Sequence, residues 1–431
     1  MSDSVVYSAT APSLGHYDVA VLGGGSAGVC AAVEAARAGA KTVLIESAGM
    51  LGGMATTALV GPFMTNYDRD GNRPVVGGLY REIIERLAAN KHAILPEDTD
   101  SPSIHTSFIG KYHRHVTPFD AFQLQIVLDD LCREAGVEVL LYTRFVDCLK
   151  EAGKITHVIL AALEGLRSLS ANVFVDATGT ADLSAAAGVP CWKGDEQTGA
   201  PQPGTLMFEV DHACDEDYNR FASRPKNPVK VYRMPEEGKY KVNHLRVFDV
   251  DQADSRSMSR AHAEARKQVM EAYRVLREET PGFENARIAA VGSVLGVRES
   301  RHVRGRYVLT AQDLAEGICF DDRIAAFGYG MDVHPRNAEM HGNWKIEVAE
   351  TYYLPYRSLL PLGCLNLLTA GKIISCESQA AGAIRVMPCA MALGQAAGLA
   401  AAMAVKAGVN PDAVPVSHLQ ETLRAHGAIL D

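Results

Sequence analysis

The sequence predicts an α/β fold with a parallel sheet covered by helices, and three stretches carry that prediction. In the first, an apolar run at residues 18–22 leads into Gly23-Gly24-Gly25-Ser26-Ala27-Gly28. An Ala-rich helical stretch follows to about Gly39, then a second apolar run, Thr42–Ile45, closed by Glu46. In the second, the apolar residues 173–176 run straight into Ala177-Thr178-Gly179. In the third, residues 365–370 close on Gly371, and an Ala/Gly-rich helical stretch runs from Pro388 through Val405. Short apolar strands alternating with helices read as βαβ units and hence a parallel sheet.

The first stretch carries G-x-G-x-x-G in the turn of a βαβ unit. Gly23 lets the backbone turn tightly, Gly25 leaves no side chain in the way of a pyrophosphate, and Gly28 lets helix and strand pack closely. The N–H groups at the start of the helix, with Ser26 and Ala27, and its positive dipole end then hold the phosphates. Glu46 lies 18 residues beyond Gly28, near the spacing of a carboxylate that accepts from ribose hydroxyls. A Gly-rich turn with a surface Glu is the bland alternative; the two flanking strands and the placed acid favour a dinucleotide.

The chain has 431 residues, of which 47% are hydrophobic and 22% charged, a globular composition long enough for two or more domains. A net charge of −9 and the lack of a long basic run argue against nucleic acid as the main partner. Residues 1–15 read as a flexible leader, with neither the basic start nor the apolar centre of a signal peptide. The longest apolar stretch, residues 389–405, is rich in Ala and Gly and contains Gln395, so it reads as a buried helix and no membrane span is expected. The nine cysteines include no C-x-x-C pair. Neither an iron–sulfur cluster nor a zinc site is signalled, no metal is expected, and a reducing cytoplasm is the expected setting.

Taken in order, residues 54–64 are apolar and Gly-containing and should run beside the cofactor. Residues 68–72 form a turn, and residues 77–90 an amphipathic helix with Leu79, Ile83, Ile84 and Leu87 on one face. Residues 92–116 are polar and aperiodic. They contain His105, His113 and His115, for which surface positions are favoured over a metal site. A second amphipathic helix at 119–135, a strand at 138–142 and a hairpin of 145–150 with 154–163 follow. Residues 191–353 are more polar, with a long helix at Ser255–Glu279 and a strand at 287–295. Cofactor signatures stand at both ends and not in the middle. The expected layout is therefore a discontinuous cofactor domain, 16–190 and 354–431, with a small β-meander and an inserted α+β substrate or cap domain at 191–353.

Past Glu46 and Ser47, the pair Gly52-Gly53, followed by Met54 and Ala55, has no purpose in a plain NAD domain. With the segments VFVDATGTADL, PGFENARIAAVGSVLGVRESRHVRGRYVLT, YLPYRSLLP, NLLTAGKIIS and GAIRVMPCAMALGQAAG, it resembles the FAD-dependent oxidoreductase family of the glutathione-reductase superfamily. Within it, the chain is similar to the branch nearer succinate dehydrogenase and fumarate reductase. The resemblance runs from Tyr17 to about Gly427 and implies FAD. It adds Ser47, Gly52, Gly53, Met54, Ala55, Val146, Ala177, Thr178, Gly179, Gly371, Met387, Pro388 and Met391 to the cofactor contacts. Two departures stand out: His302 takes a position where Arg is common, and Glu377-Ser378-Gln379 replaces a Thr-His-Glu-like trio.

The expected chemistry is hydride transfer between flavin N5 and a small anionic metabolite. The helix opening at Pro388 would favour negative charge at the N1–O2 side of the ring. Arg385 is the first candidate for a substrate carboxylate, because its planar fork binds carboxylates bidentately. Arg357, Arg298 and His302 are second candidates, each with a structural ion pair as its alternative, and Tyr353, Tyr356 and His341 are candidate proton donors. No second G-x-G-x-x-G sits in its own βαβ unit and no redox cysteine pair exists, so the electron donor or acceptor is left unspecified. A homo-oligomer is left open. A tRNA-modifying flavoprotein and a non-catalytic dinucleotide-binding protein are the competing readings. Gly25→Val is expected to abolish cofactor uptake, measured as flavin content after purification; unchanged content would put the phosphates elsewhere.

Overall fold

The computed structural model describes residues 5–99, 114–222, 229–337, 339 and 347–431. His105, His113 and His341 lie outside the described residues. Strand β1 (Ser13–Leu22) begins earlier than its apolar run, because its first residues pair with the meander described below. Helix α1 (Ser26–Arg37) and strand β2 (Thr42–Ile45) complete the βαβ unit, with Val19 opposite Thr42 and Leu22 opposite Ile45 in parallel register. The four residues of β2 and the last four of β1 are all buried, as expected of strands covered on both faces.

Helix α2 (Gly78–Ala89) buries Leu79, Tyr80, Ile83, Ile84 and Leu87, the face that the periodicity marks. Helix α3 (Ala121–Ala135) starts at Asp120, which accepts from Gln123 N at 2.8 Å, and stops at Gly136 with φ +78°. Both are the terminators expected of a stable helix. Strand β3 (Glu138–Leu140) joins β2 in parallel. Strands β4 (Arg144–Glu151) and β5 (Lys154–Ala162) form the hairpin, turning at Ala152 and Gly153 with φ +47° and +79°.

Strand β6 (Gly165–Asp176) pairs antiparallel with β5 at one end and parallel with β1 towards the other. After it come helix α4 (Asp182–Ala186) and strand β7 (Cys191–Lys193). A second unit begins with strand β8 (Phe208–Asp211), helix α5 (Asp215–Ala222), strand β9 (Val231–Arg233) and strand β10 (Tyr240–Val242). It continues with helix α6 (Ser255–Glu279) and strand β11 (Arg287–Val291). The strands form an antiparallel sheet in the order β11-β8-β10-β9. Ala261, Ala265, Val269, Ala272 and Leu276 of α6 join Phe208, Val210, Tyr240 and Val242 in a core of their own. The last strand ends sooner than the expected 287–295: at Gly292 and Ser293 the backbone turns to donate to Met207 O and Thr57 O.

Strand β12 (Arg301–Val303) pairs with β7. Helix α7 (Ala311–Glu316), opened by a Thr310–Asp313 capping box, precedes the antiparallel pair β13 (Arg323–Phe327) and β14 (Tyr352–Pro355). Leu309, Leu314, Ile324, Phe327 and Tyr352 pack into the core of the parallel sheet. The middle of the chain is thus divided between two cores. Strand β15 (Leu367–Thr369) then lies parallel to β6, end to end with β5. Asn366 ties the two ends: its side chain accepts from Ile155 N at 2.8 Å and donates to Ile155 O at 2.9 Å.

Helix α8 (Ser378–Ile384) leads to α9 (Met387–Ala407), and α10 (Val416–Ala425) closes the fold. The long helix begins one residue ahead of expectation, with Pro388 second rather than first. Among the described residues α9 alone is long and apolar enough to cross a membrane, and 83% of its most apolar window is buried inside the protein. It lies along α1 at backbone contact. A Cβ on Gly394 would stand 2.1 Å from Ala27 O, and one on Gly398 2.0 Å from Ala31 O. Gly398→Ala is therefore expected to destabilise the fold by about 1–3 kcal/mol or more, read as a lower urea midpoint; an unchanged midpoint would mean that the helices are not in contact.

Candidate functional site: two joined cavities at the strand ends

A cavity of about 540 Å³ opens at the carboxyl ends of β1, β2 and β6, the place where parallel sheets bind ligands. Its floor is the glycine turn. Gly23, at φ +100°, has Ala177 O only 2.4 Å from where a Cβ would stand, and a Cβ on Gly28 would meet Gly23 O at 1.8 Å. Gly25 is different: the nearest atom to its added Cβ is Gly53 Cα at 3.9 Å, so this glycine keeps space open rather than letting chains touch. The Gly52-Gly53 pair is bound to the turn, with Gly52 N donating to Gly24 O at 2.8 Å and Gly25 bridging Gly52.

Gly23, Gly25, Ser26, Ala27 and Gly53 line the cavity. No side chain caps α1, so the N–H groups of its first turn are available to an anion there. Glu46 also lines it, accepting from Gly24 N and Ala48 N, each at 2.7 Å, and from Ser47 Oγ at 3.0 Å. Those bonds fix the carboxylate beside the turn. On the β6 side, Ala177, Thr178 and Gly179 form the wall. They are held by buried Asp176, which accepts from Thr178 Oγ1 at 2.8 Å and Ser184 Oγ at 2.7 Å. Burial raises the Asp176 carboxyl against the lowering effect of those bonds.

The far end is built by Met54, Gly371, Lys372, Arg385, Met387 and Ala390. Helix α9 also starts without a side-chain cap. An elongated cavity with an uncapped helix start at each end, glycine backbone at one and a carboxylate beside it suits a phosphate-containing dinucleotide, and FAD fits these residues.

Some expected contacts do not reach the cavity. Val146 is 51% exposed. The pairing of β4 with β5 slips between Phe145 and Asp147, so this bulge turns Phe145 to the cavity and Val146 to solvent. Gly28, Gly52, Ala55, Pro388 and Met391 are packed behind the lining rather than in it.

A second cavity, of about 160 Å³, continues from the far end and shares Met54, Lys372, Arg385 and Met387 with the first. Residues from both parts of the chain line it: Val60 and Met64 on one side, Met207, Tyr232 and Arg298 on the other, with Tyr329, Asp332 and His334 closing it. Arg385 Nη2 donates to Asp332 Oδ2 at 2.9 Å and to Asp332 O at 3.1 Å. Arg298 Nη1 donates to Pro203 O at 2.6 Å, and burial with the nearby Arg385 charge brings this guanidinium down to about 10. His334 Nε2 lies 3.4 Å from Asp332 Oδ2; burial and the Arg298 charge lower it to about 4. Burial opposes ionisation of Asp332, but His334, Arg385 and Arg298 together hold it well below the usual carboxylate range.

Arg385 and Arg298 are thus brought together, while the other candidates are not. His302 is buried away from both cavities, 3.3 Å from Glu299 Oε1 and against Cys376 Sγ at 3.7 Å. Arg357 pairs with Asp322 at 3.0 Å and covers the ring of Tyr307 at 4.6 Å. Tyr356 donates to Pro411 O at 2.8 Å, and Tyr353 lies under Arg323. His115 is buried, stacked on Tyr67 and bonded to Pro96 O at 3.0 Å, so it is neither a surface residue nor in either cavity. Among the described residues there is no His/Cys/Asp/Glu group suited to a metal ion. Sequence reasoning missed Lys372, Tyr329, Asp332 and His334. Only Lys372 left a signal, a lone cation directly after Gly371, two residues beyond β15.

Comparison with known proteins agrees with this geometry. A short stretch of 48 residues is 48% identical to mitochondrial dihydrolipoyl dehydrogenase of Schizosaccharomyces pombe. It spans 11% of this chain and 9% of that protein. In fold the chain is similar to p-nitrophenol 4-monooxygenase PnpA from Pseudomonas putida DLL-E4 and to the flavin-dependent brominase Bmp2. For the first, identity is 11%, coverage is 97% of this chain and 90% of that one, and the TM-score is 0.51. For the second, identity is 12%, coverage is 95% and 84%, and the TM-score is 0.50. The family described as FAD dependent oxidoreductase matches residues 18–423, nearly the whole chain. With the glycine floor, the placed acid and that match, the chain belongs to the FAD-dependent oxidoreductase family.

Proposed function

We propose that this protein exchanges hydride between FAD in the larger cavity and a small carboxylate-bearing metabolite in the smaller one. The observation that carries this reading is Arg385. It lines both cavities, and its buried Nε has no hydrogen-bond partner among the described residues. A buried donor left without a protein partner is costly unless something else accepts from it. FAD, when bound, provides the hydride-exchanging position of the reaction.

The chain's own residues do the rest. Arg385 and Arg298 bind the carboxylate, and Asp332 holds the Arg385 fork in orientation through Nη2. Tyr329, kept protonated by burial, and Tyr232 add hydroxyls to the same wall. The uncapped start of α9 places partial positive charge beside Met387, where it favours negative charge on the adjacent cofactor. Met54, Val60, Met64 and Met207 keep water out of the junction.

The GAIRVMP segment, with Arg385 ahead of the α9 start, supports a place on the succinate dehydrogenase-like branch. The second core supports a substrate-covering role for the middle of the chain, and the absence of paired cysteines supports a cytoplasmic setting.

The test is an anaerobic screen of metabolites for bleaching of the bound flavin, followed by Arg385→Lys. The variant is expected to keep FAD and to be reduced about 30- to 1000-fold more slowly, because a point charge cannot reproduce the fork. That loss corresponds to about 2–4 kcal/mol of transition-state stabilisation. Reduction at the wild-type rate would make Arg385 a structural partner of Asp332 and remove the support for an anionic substrate.

A further inference from the structure

Lys372 stands where the two cavities meet and lines both. Its Nζ donates to Val297 O at 2.7 Å and to Gln252 Oε1 at 3.1 Å. Both acceptors are uncharged. A protonated amine has three donors and a neutral one has two donors and a lone pair. The two protein acceptors therefore satisfy the neutral amine completely and leave its lone pair unused, whereas they leave the ammonium one donor short. On this geometry, and resting on the reading given above, we propose that Lys372 is the general base of the reaction and that the substrate is a hydroxy acid.

Burial and the neighbouring Arg385 charge, against a weaker pull from Glu299, lower Lys372 to about 7. A base poised there exchanges a proton near neutrality, where general catalysis is most effective. Five ionisable groups near it hold one state across that range. Glu299 is pulled to about 2 by His302 and Arg336 against its burial, and Asp332 stays ionised. Arg298, at about 10, stays charged, and His334, at about 4, stays neutral. Tyr329 stays protonated.

The carboxylate sits on Arg385 and Arg298. The hydroxyl O–H bond breaks and its proton passes to the Lys372 amine. The C–H bond on the same carbon breaks with its electron pair as a C=O bond forms. Two electrons leave the hydroxy acid, which becomes an oxo acid; oxidised FAD, when bound, would supply the hydride acceptor. A hydroxyl suits the site better than an ammonium group. Arg298, Arg385 and Lys230 surround the smaller cavity, and its carboxylate, Asp332, is already taken up by Arg385 and His334. A cation on the substrate would meet three like charges in that lining.

Two measurements test this. The first needs no substrate: the FAD-loaded protein, carrying ¹³C at the lysine Cε, is titrated by NMR, with the Lys372 signal assigned by its loss in Lys372→Gln. A midpoint near 7 is expected; a midpoint near the ordinary lysine value of about 10.4 overturns the proposal. The second is anaerobic flavin reduction by a panel of hydroxy acids and the matching amino acids. Hydroxy acids are expected to reduce the wild type at a rate that rises through a pH near 7. Lys372→Met and Lys372→Gln, checked for retained FAD, are expected to be about 10²- to 10⁴-fold slower and to lose that rise. Variants that keep the rate or the pH rise overturn the assignment, as does reduction by the amino acids in preference to the hydroxy acids. Failure of the underlying reading is distinguishable, because it is seen in the wild type alone as a flavin that no carboxylate of the screen reduces.

Discussion

The contact on which the molecule depends is backbone on backbone. Helix α9 touches α1 where Gly394 faces Ala27 O and Gly398 faces Ala31 O, and α1 in turn sits on its own strand through Gly28. Side chains at these points would force the helices apart, and interiors packed to this density do not absorb such a change. The consequence is positional. The start of α9, with Met387 and Arg385 before it, is brought against the glycine turn that opens the chain, although more than 350 residues separate them in sequence. Both uncapped helix starts then address one cavity.

The same contact explains why the middle of the chain tolerates a division of labour. Residues from Leu309 to Tyr352 fill out the core around α9, while those from Leu206 to Val297 form a core of their own. The second unit contributes Tyr232 and Val297, with Arg298 next to it, to a cavity that Met64 and Tyr329 of the first also line. The smaller cavity is thus assembled from two units, and the larger one is built largely from one. Such a layout lets residues of the smaller cavity change without disturbing the glycine floor.

What was legible in the sequence is what depends on neighbours in the chain. The turn from Gly23 to Gly28, the faces of α2 and α3, and the bounds of α6 follow from spacing and caps read along a single segment. What was not legible depends on partners far away. His302 and Arg357 carry the right chemistry, but Glu299 and Asp322 hold them elsewhere. Val146 follows the alternation of a regular strand, and a bulge moves its neighbour into the cavity instead. Lys372 looks like any lysine until its surroundings are known, since burial and Arg385 give it its character.

The order in which the chain is made gives α9 a further significance. A ribosome delivers the glycine turn and α1 more than 350 residues before α9, and domains begin to fold as they emerge. Until α9 arrives, the groove along α1 stays uncovered and the cofactor cleft lacks its far end. When α9 does arrive, it is a helix apolar enough to suit a bilayer, with one place in the protein shaped to take it. The far end of the cleft is therefore completed by the same event that buries this segment.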